Sequence, residues 1–328
     1  MITIKRILCP TDLTTNSDQA LRYAVALTRA YESKLIVCYC TDGAEAAGAM
    51  PYMPAGAIQQ SELAYALSRG RTKELFEGAL LNFLTPVTFA NLEWQGLLIE
   101  GDDVGEAITR TAAEHAADLI VMRSRRRPHR AAILGSTAES VCRTAPCPVL
   151  VTHTDERDWV EPMTESINLR RVLVPYDFSD YSELALKYAL SLAQEYQGEL
   201  HLLHVLPRQS STGPEIAWYP MTGEAAYHKA ARRLQKAVPA EAHLWCKIKH
   251  AVSEGHPYRE VLNYAEKNDI DLISIGAHGA GFGMRALFGS NVDRVLRQAP
   301  CPVLVARPLK PTNAQASQPR LNGTAANV

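Results

Sequence analysis

The residues with the most chemical potential lie in one stretch, Gly276-Ala-His-Gly279-Ala-Gly281-Phe-Gly283-Met-Arg-Ala-Leu-Phe-Gly289-Ser290-Asn291. Its five glycines let backbone N–H groups approach an anion closely, because no Cβ stands in the way. Helical periodicity begins at Gly289-Ser290, and a helix N-terminus turns partial positive charge toward the same anion. The spacing suits phosphate oxygens. It is not a Walker P-loop, because no Gly-Lys-Ser/Thr is present. Nor is it a dinucleotide fingerprint, because the glycines follow a fourth expected strand rather than a first.

Other polar residues are more ambiguous. Asp177 follows an expected strand and either contacts a ligand or caps the next helix, and Ser290 has the same two readings. His278 reads as a loop-packing histidine rather than a general base. A second loop, Arg123-Ser-Arg-Arg-Arg-Pro-His-Arg130, carries five arginines in eight residues. Those arginines form a solvated or interdomain surface, grip a small anion by side-chain forks, or touch nucleic acid. Nucleic acid is disfavoured, because no aromatic residues are interleaved for base stacking. His201 and His204 are three apart in a strand and face opposite sides, as do His243 and Cys246, which is poor geometry for one metal. No catalytic residue and no metal ligand set is assigned.

These residues sit in a chain that contains the same pattern twice. Arg6-Ile-Leu-Cys-Pro-Thr-Asp12 returns as Arg171-Val-Leu-Val-Pro-Tyr-Asp177, and that register keeps 12 identities in 30 positions. Ala145-Pro-Cys-Pro-Val-Leu-Val151 is repeated letter for letter as Ala299-Pro-Cys-Pro-Val-Leu-Val305. In the first copy the pattern predicts strands at 4–9, 34–40, 88–98, 119–122 and 149–152. Helices are expected from Ser17 onward and at 59–84, 106–116 and 136–143. The second copy has expected strands at 171–174, 199–205, 242–252, 272–275 and 303–306, with helices at 182–196, 223–238, 258–267 and 291–298. Strands alternating with helices imply right-handed crossovers and a doubly wound α/β domain, each a five-stranded parallel sheet with helices on both faces. Ligands of such sheets bind beyond the carboxyl ends of the strands where the strand order reverses. The expected domains are 1–153 and 168–307, joined by a polar linker at 154–167 and followed by a disordered tail at 308–328. Each copy ends in a short apolar strand that would leave an open sheet edge, so the two ends are expected to pair within the chain. A homodimer is compatible and not required.

Composition narrows the partners. The 34 Lys+Arg against 35 Asp+Glu leave a net charge of -1, so no global basic field draws nucleic acid or anionic lipid. No apolar run approaches the roughly 18 residues of a membrane span. Seven scattered cysteines, an odd number, make no disulfide framework and point to a reducing, cytoplasmic setting.

Gly276-x2-Gly279-x9-Gly289-Ser290, preceded by Asp271-Leu-Ile-Ser-Ile and with Val174-Pro-Tyr-Asp177 at the domain start, resembles the universal stress protein family in its tandem form. The resemblance covers roughly residues 3–307 and implies two Rossmann-like domains. It also implies ATP or a related adenine nucleotide, with or without Mg, in the second domain. By that resemblance Pro175, Asp177 and the backbone of Val205 face the nucleoside, while Gly276, Gly279, Gly289, Ser290 and Asn291 take the ribose and phosphates. The first copy departs from the pattern: Arg123 stands where Gly276 does and Arg126 where Gly279 does, so its cradle is lost although Asp12, Gly135 and Ser136 persist. The implied role is a cytoplasmic stress-response regulator or adaptor driven by nucleotide. The alternatives are a slow ATP-hydrolysing enzyme, or an adaptor that takes another small anion or a lipid-like ligand.

Overall fold

The computed structural model describes residues 2–12, 18–41, 78, 91–124, 135–153, 156–161, 166–207, 223–278 and 289–309. The first half contains β1 (Arg6–Thr11), α1 (Asp18–Ala30), β2 (Lys34–Thr41), β3 (Glu93–Glu100), α2 (Val104–Glu114), β4 (Leu119–Arg123), α3 (Ser136–Thr144) and β5 (Val149–Thr152). The second contains β6 (Arg171–Pro175), α4 (Asp180–Glu195), β7 (Glu199–Leu206), α5 (Glu224–Ala237), β8 (Lys247–Glu254), α6 (Pro257–Lys267), β9 (Leu272–Gly276), α7 (Ser290–Gln298) and β10 (Val303–Ala306).

The strands form one ten-stranded sheet in the order β3-β2-β1-β4-β5-β10-β9-β6-β7-β8. Within each half all pairings are parallel, and β1 and β6 lie at the reversals of strand order. Where the halves meet, β10 runs antiparallel to β5, with Val303 opposite Val151, Leu304 opposite Leu150 and Val305 opposite Val149. Leu150 and Leu304 are the same residue of the repeated Val-Leu-Val, so the pseudo-two-fold axis passes between them.

Alternation along the strands feeds two cores. Ile7 and Cys9 of β1 point to the face covered by α1 and α4, whereas Leu8 points to the face covered by α2, α3, α6 and α7. Strands buried on both faces explain the unbroken apolar runs such as Leu119-Ile-Val-Met122.

The structure departs from the sequence pattern in three places. The strand expected at 242–252 begins at Lys247, because Pro239 starts a short 3-10 turn, Ala240–Leu244, that buries Ala242 and leaves Leu244 85% exposed. The strand expected at 88–98 is Glu93–Glu100 among the described residues. In the 154–167 segment, polar by composition, described residues are packed: Trp159 and Val160 are buried, and Val160 bridges Ile167. Trp159 meets the Tyr23 ring edge-on at 4.5 Å and donates its backbone N–H to Tyr23 Oη, while Arg157 Nη1 donates to the carbonyls of Ala265 and Ile270. One aromatic ring buries enough apolar area to hold a polar segment in place. The helix expected at 59–84 lies outside the described residues apart from Gly78, as does the tail beyond Leu309.

Candidate functional site

The second half brings the ends of β6, β7 and β9 to one cleft of about 230 Å³, closed by the start of α7. Pro175, Asp177, Val205, Gly276, Gly289, Ser290 and Asn291 all line it. Gly279 lies outside the described residues, together with Gly281, Gly283 and Arg285.

Each element delivers its residue for a local reason. After Pro175, Phe178 takes a left-handed backbone (φ 65°), which turns the chain into α4. Asp177 Oδ1 accepts from the backbone N–H and the Oγ of Ser179. Ser179 itself is the N-cap, accepting from the Ser182 N–H at 3.2 Å. Asp177 thus shapes the turn before the helix rather than capping it.

Tyr176 N–H donates to the Leu203 carbonyl, so Leu203 turns its backbone toward β6. Two residues on, Val205 turns its backbone N–H and C=O the same way by strand alternation. β6 pairs no further than Pro175 with Leu203, and Val205 therefore presents those groups to the cleft.

The glycines differ in what they are for. A Cβ on Gly276 would lie 2.7 Å from the backbone carbonyl of Tyr181, so the packing of β9 on α4 demands glycine by itself. A Cβ on Gly289 would meet only the Val292 Cγ2 at 3.4 Å and the Ala277 carbonyl at 3.9 Å, and its φ of -57° suits any residue. No protein contact among the described residues requires Gly289 to lack a side chain. Gly289 is also the N-cap of α7 and, as a glycine, offers no side chain of its own to cap the first turn. Ser290, read from sequence as a possible N-cap, is instead the first helical residue. The early N–H groups of α7 thus open toward the cleft, a local field suited to an anion.

His278 sits at the edge of this cleft with its ring 5.0 Å from that of Tyr181, the packing role expected for it. Burial, with Arg307 nearby, holds its imidazole below the ordinary histidine range. His204, which sequence reasoning left out of the site, is another wall, its Nδ1 donating to the Tyr176 carbonyl at 2.7 Å. Tyr258 and Val261 of α6 complete the wall. Neither stood out in sequence, because α6 presents them only through its position beside α7.

The remaining candidates separate. His201 is buried against the Tyr264 hydroxyl at 3.0 Å, on the opposite face of β7 from His204. His243 and His250 have ring centres 6.5 Å apart, and Cys246 donates its thiol to the Gly198 carbonyl. Among the described residues no group of three His, Cys, Asp or Glu is placed to hold a metal, and no helix is long and apolar enough to cross a membrane. In the first half Arg123 ends β4, and Gly135 N–H lies 3.5 Å from Ser124 Oγ. The arginines from 125 to 130 lie outside the described residues.

The model of the universal stress protein family matches residues 3–153 and again 168–307. A universal stress protein of Methanocaldococcus jannaschii is 31% identical over 139 residues, covering 42% of this chain and 82% of its own. One of Bacillus subtilis is 31% identical over 146 residues, covering 42% of this chain and 98% of its own. The crystal structure of a universal stress protein from Archaeoglobus fulgidus superposes with a TM-score of 0.60 at 23% identity, covering 93% of this chain and 97% of that one, which is a likeness of fold.

Proposed function

The chain belongs to the universal stress protein family, and we propose that its second half binds ATP or a related adenine nucleotide and that the protein acts as a nucleotide-dependent regulator in the cytoplasm. Gly289 carries this assignment: it is a glycine that neither its backbone angle nor its neighbours among the described residues require, standing at the start of a helix that opens into a cleft. A ligand that needs backbone approach accounts for it.

In this reading Pro175, Asp177 and the backbone of Val205 meet the nucleoside. Gly276, Gly279, Ser290 and Asn291 join Gly289 around the ribose and phosphates. Backbone donors of fixed geometry bind an anion without the entropic cost of ordering long side chains. Mg2+ accompanying the nucleotide would be held chiefly by its phosphates, as that ion commonly is. The first half, with Arg123 at the place of Gly276, holds no nucleotide. The β5 and β10 edges keep the two halves together as an internal pair, in domains spanning 1–153 and 168–307.

Calorimetric titration of the full chain with ATP should give one site per chain. Mass spectrometry of ligand released from freshly purified protein should find an adenine nucleotide. Two sites per chain, or no binding, would sink the assignment.

A further inference from the structure

Beside the cleft, two arginines gather on one tyrosine. Tyr258 lines the cleft from the first turn of α6. The guanidinium carbon of Arg294 lies 4.6 Å from the centre of its ring. That of Arg259 lies 5.7 Å away, and Arg259 Nε donates to the Tyr258 hydroxyl at 2.9 Å. Both arginines are exposed, and among the described residues neither has a carboxylate partner.

The acidic residues next to them in sequence are turned elsewhere. Glu260 Oε2 accepts from Ser253 Oγ at 2.6 Å, and Asp293 takes both Nε and Nη2 of Arg297. Two guanidinium groups beside one ring carry a mutual repulsion that an anion bound between them would relieve. Arg294 stands one helical turn after Ser290, on the same face, and helical side chains lean back toward the N-terminus. Its charge is therefore carried toward the cleft-lining start of α7.

The first half lacks this arrangement. Counted from the helix starts, Gly105 of α2 matches Tyr258 and Ser140 of α3 matches Arg294. There the helices close together, so that a Cβ on Gly105 would lie 2.6 Å from Ser140. Among the described residues the cationic pair occurs in the half that keeps the glycine spacing, and the matching positions of the first half are Glu106 and Ser140.

We infer that Arg259 and Arg294, held by Tyr258, form a collar for the outer phosphates of a nucleoside polyphosphate and make the cleft select it over a monophosphate. This rests on the nucleotide reading of the cleft. Guanidinium forks suit phosphate oxygens, and at an exposed rim their contribution falls as salt rises.

The test is calorimetry on the full chain with adenosine, AMP and ATP, for the parent and for the R259A/R294A double variant. The parent should prefer ATP to AMP by about tenfold or more, and the double variant should lose about that factor for ATP alone. Unchanged adenosine affinity in the double variant serves as its folding control. Inorganic triphosphate should compete with ATP in the parent and compete about tenfold less well in the double variant, which keeps the backbone donors. A parent that binds AMP and ATP equally, or a double variant that keeps its ATP affinity within a factor of about two, would overturn the collar and leave the nucleotide reading standing. Failure of the parent to bind any of the three would overturn both.

Discussion

Gly276 ends β9 against the first turn of α4, where a Cβ would sit 2.7 Å from the carbonyl carbon and oxygen of Tyr181. A glycine that sequence spacing assigns to a ligand is thus already fixed by packing. Gly276→Ala should destabilise the protein by about 1–3 kcal/mol, the usual cost of overpacking, whether or not nucleotide is present. Urea unfolding of the ligand-free protein checks this. Unchanged stability would mean that β9 can move off α4 freely.

Gly289→Ala should behave in the opposite way. Among the described residues its Cβ meets only ordinary contacts, so stability should change by about 1 kcal/mol or less, the scale of an altered N-cap. ATP affinity should fall by about tenfold or more, the loss expected when a donor pair is blocked. If both glycine variants lost stability alike and bound ATP alike, the contrast between the two positions would be wrong.

Stability should decline as the solution is acidified below about pH 6.5, partly through His201. Burial, the largest influence, drives its pKa down from 6.5 to about 4 in the folded protein. The unfolded chain therefore takes up a proton first, and His201's share of stability is present above pH 6.5 and lost as pH falls toward 4. On the order of 2 kcal/mol of that share is lost between pH 7 and pH 5. His204, His250 and His278 are shifted in the same direction, so His201→Leu should flatten the slope between pH 7 and 5 without abolishing it. Chemical denaturation at the two pH values measures the difference, and an unaltered slope would remove His201 from the account.

Trp159→Ala should cost about 3–5 kcal/mol, as for a buried aromatic in a core, although the segment that carries it is polar by composition. The ring is 3% exposed and stands edge-on against Tyr23 of the first half. Thermal unfolding would register the loss, and 15N relaxation should show the two halves tumbling as one body in the parent. A loss below 1 kcal/mol, on the order of a surface substitution, would return the segment to the status of a linker.

The duplicated α/β pattern was legible in the residues alone, because hydrophobic period, Pro and Gly punctuation and repeat identity act over a few residues and survive without tertiary context. The same local signals drew attention to Gly276 and Gly289-Ser290. Only the tertiary structure separated the two glycines, since Tyr181 is remote from Gly276 in the chain and no local rule reports their approach. Tyr258 and Arg294 gained their meaning in the same manner, by α6 lying against α7. Trp159 was hidden in a polar segment because composition averages over neighbours, whereas burial acts on one ring. Leu150 came to face Leu304 for a related reason: a parallel sheet leaves its last strand with an unpaired edge, and which edge closes it is decided by where the second copy of the chain folds.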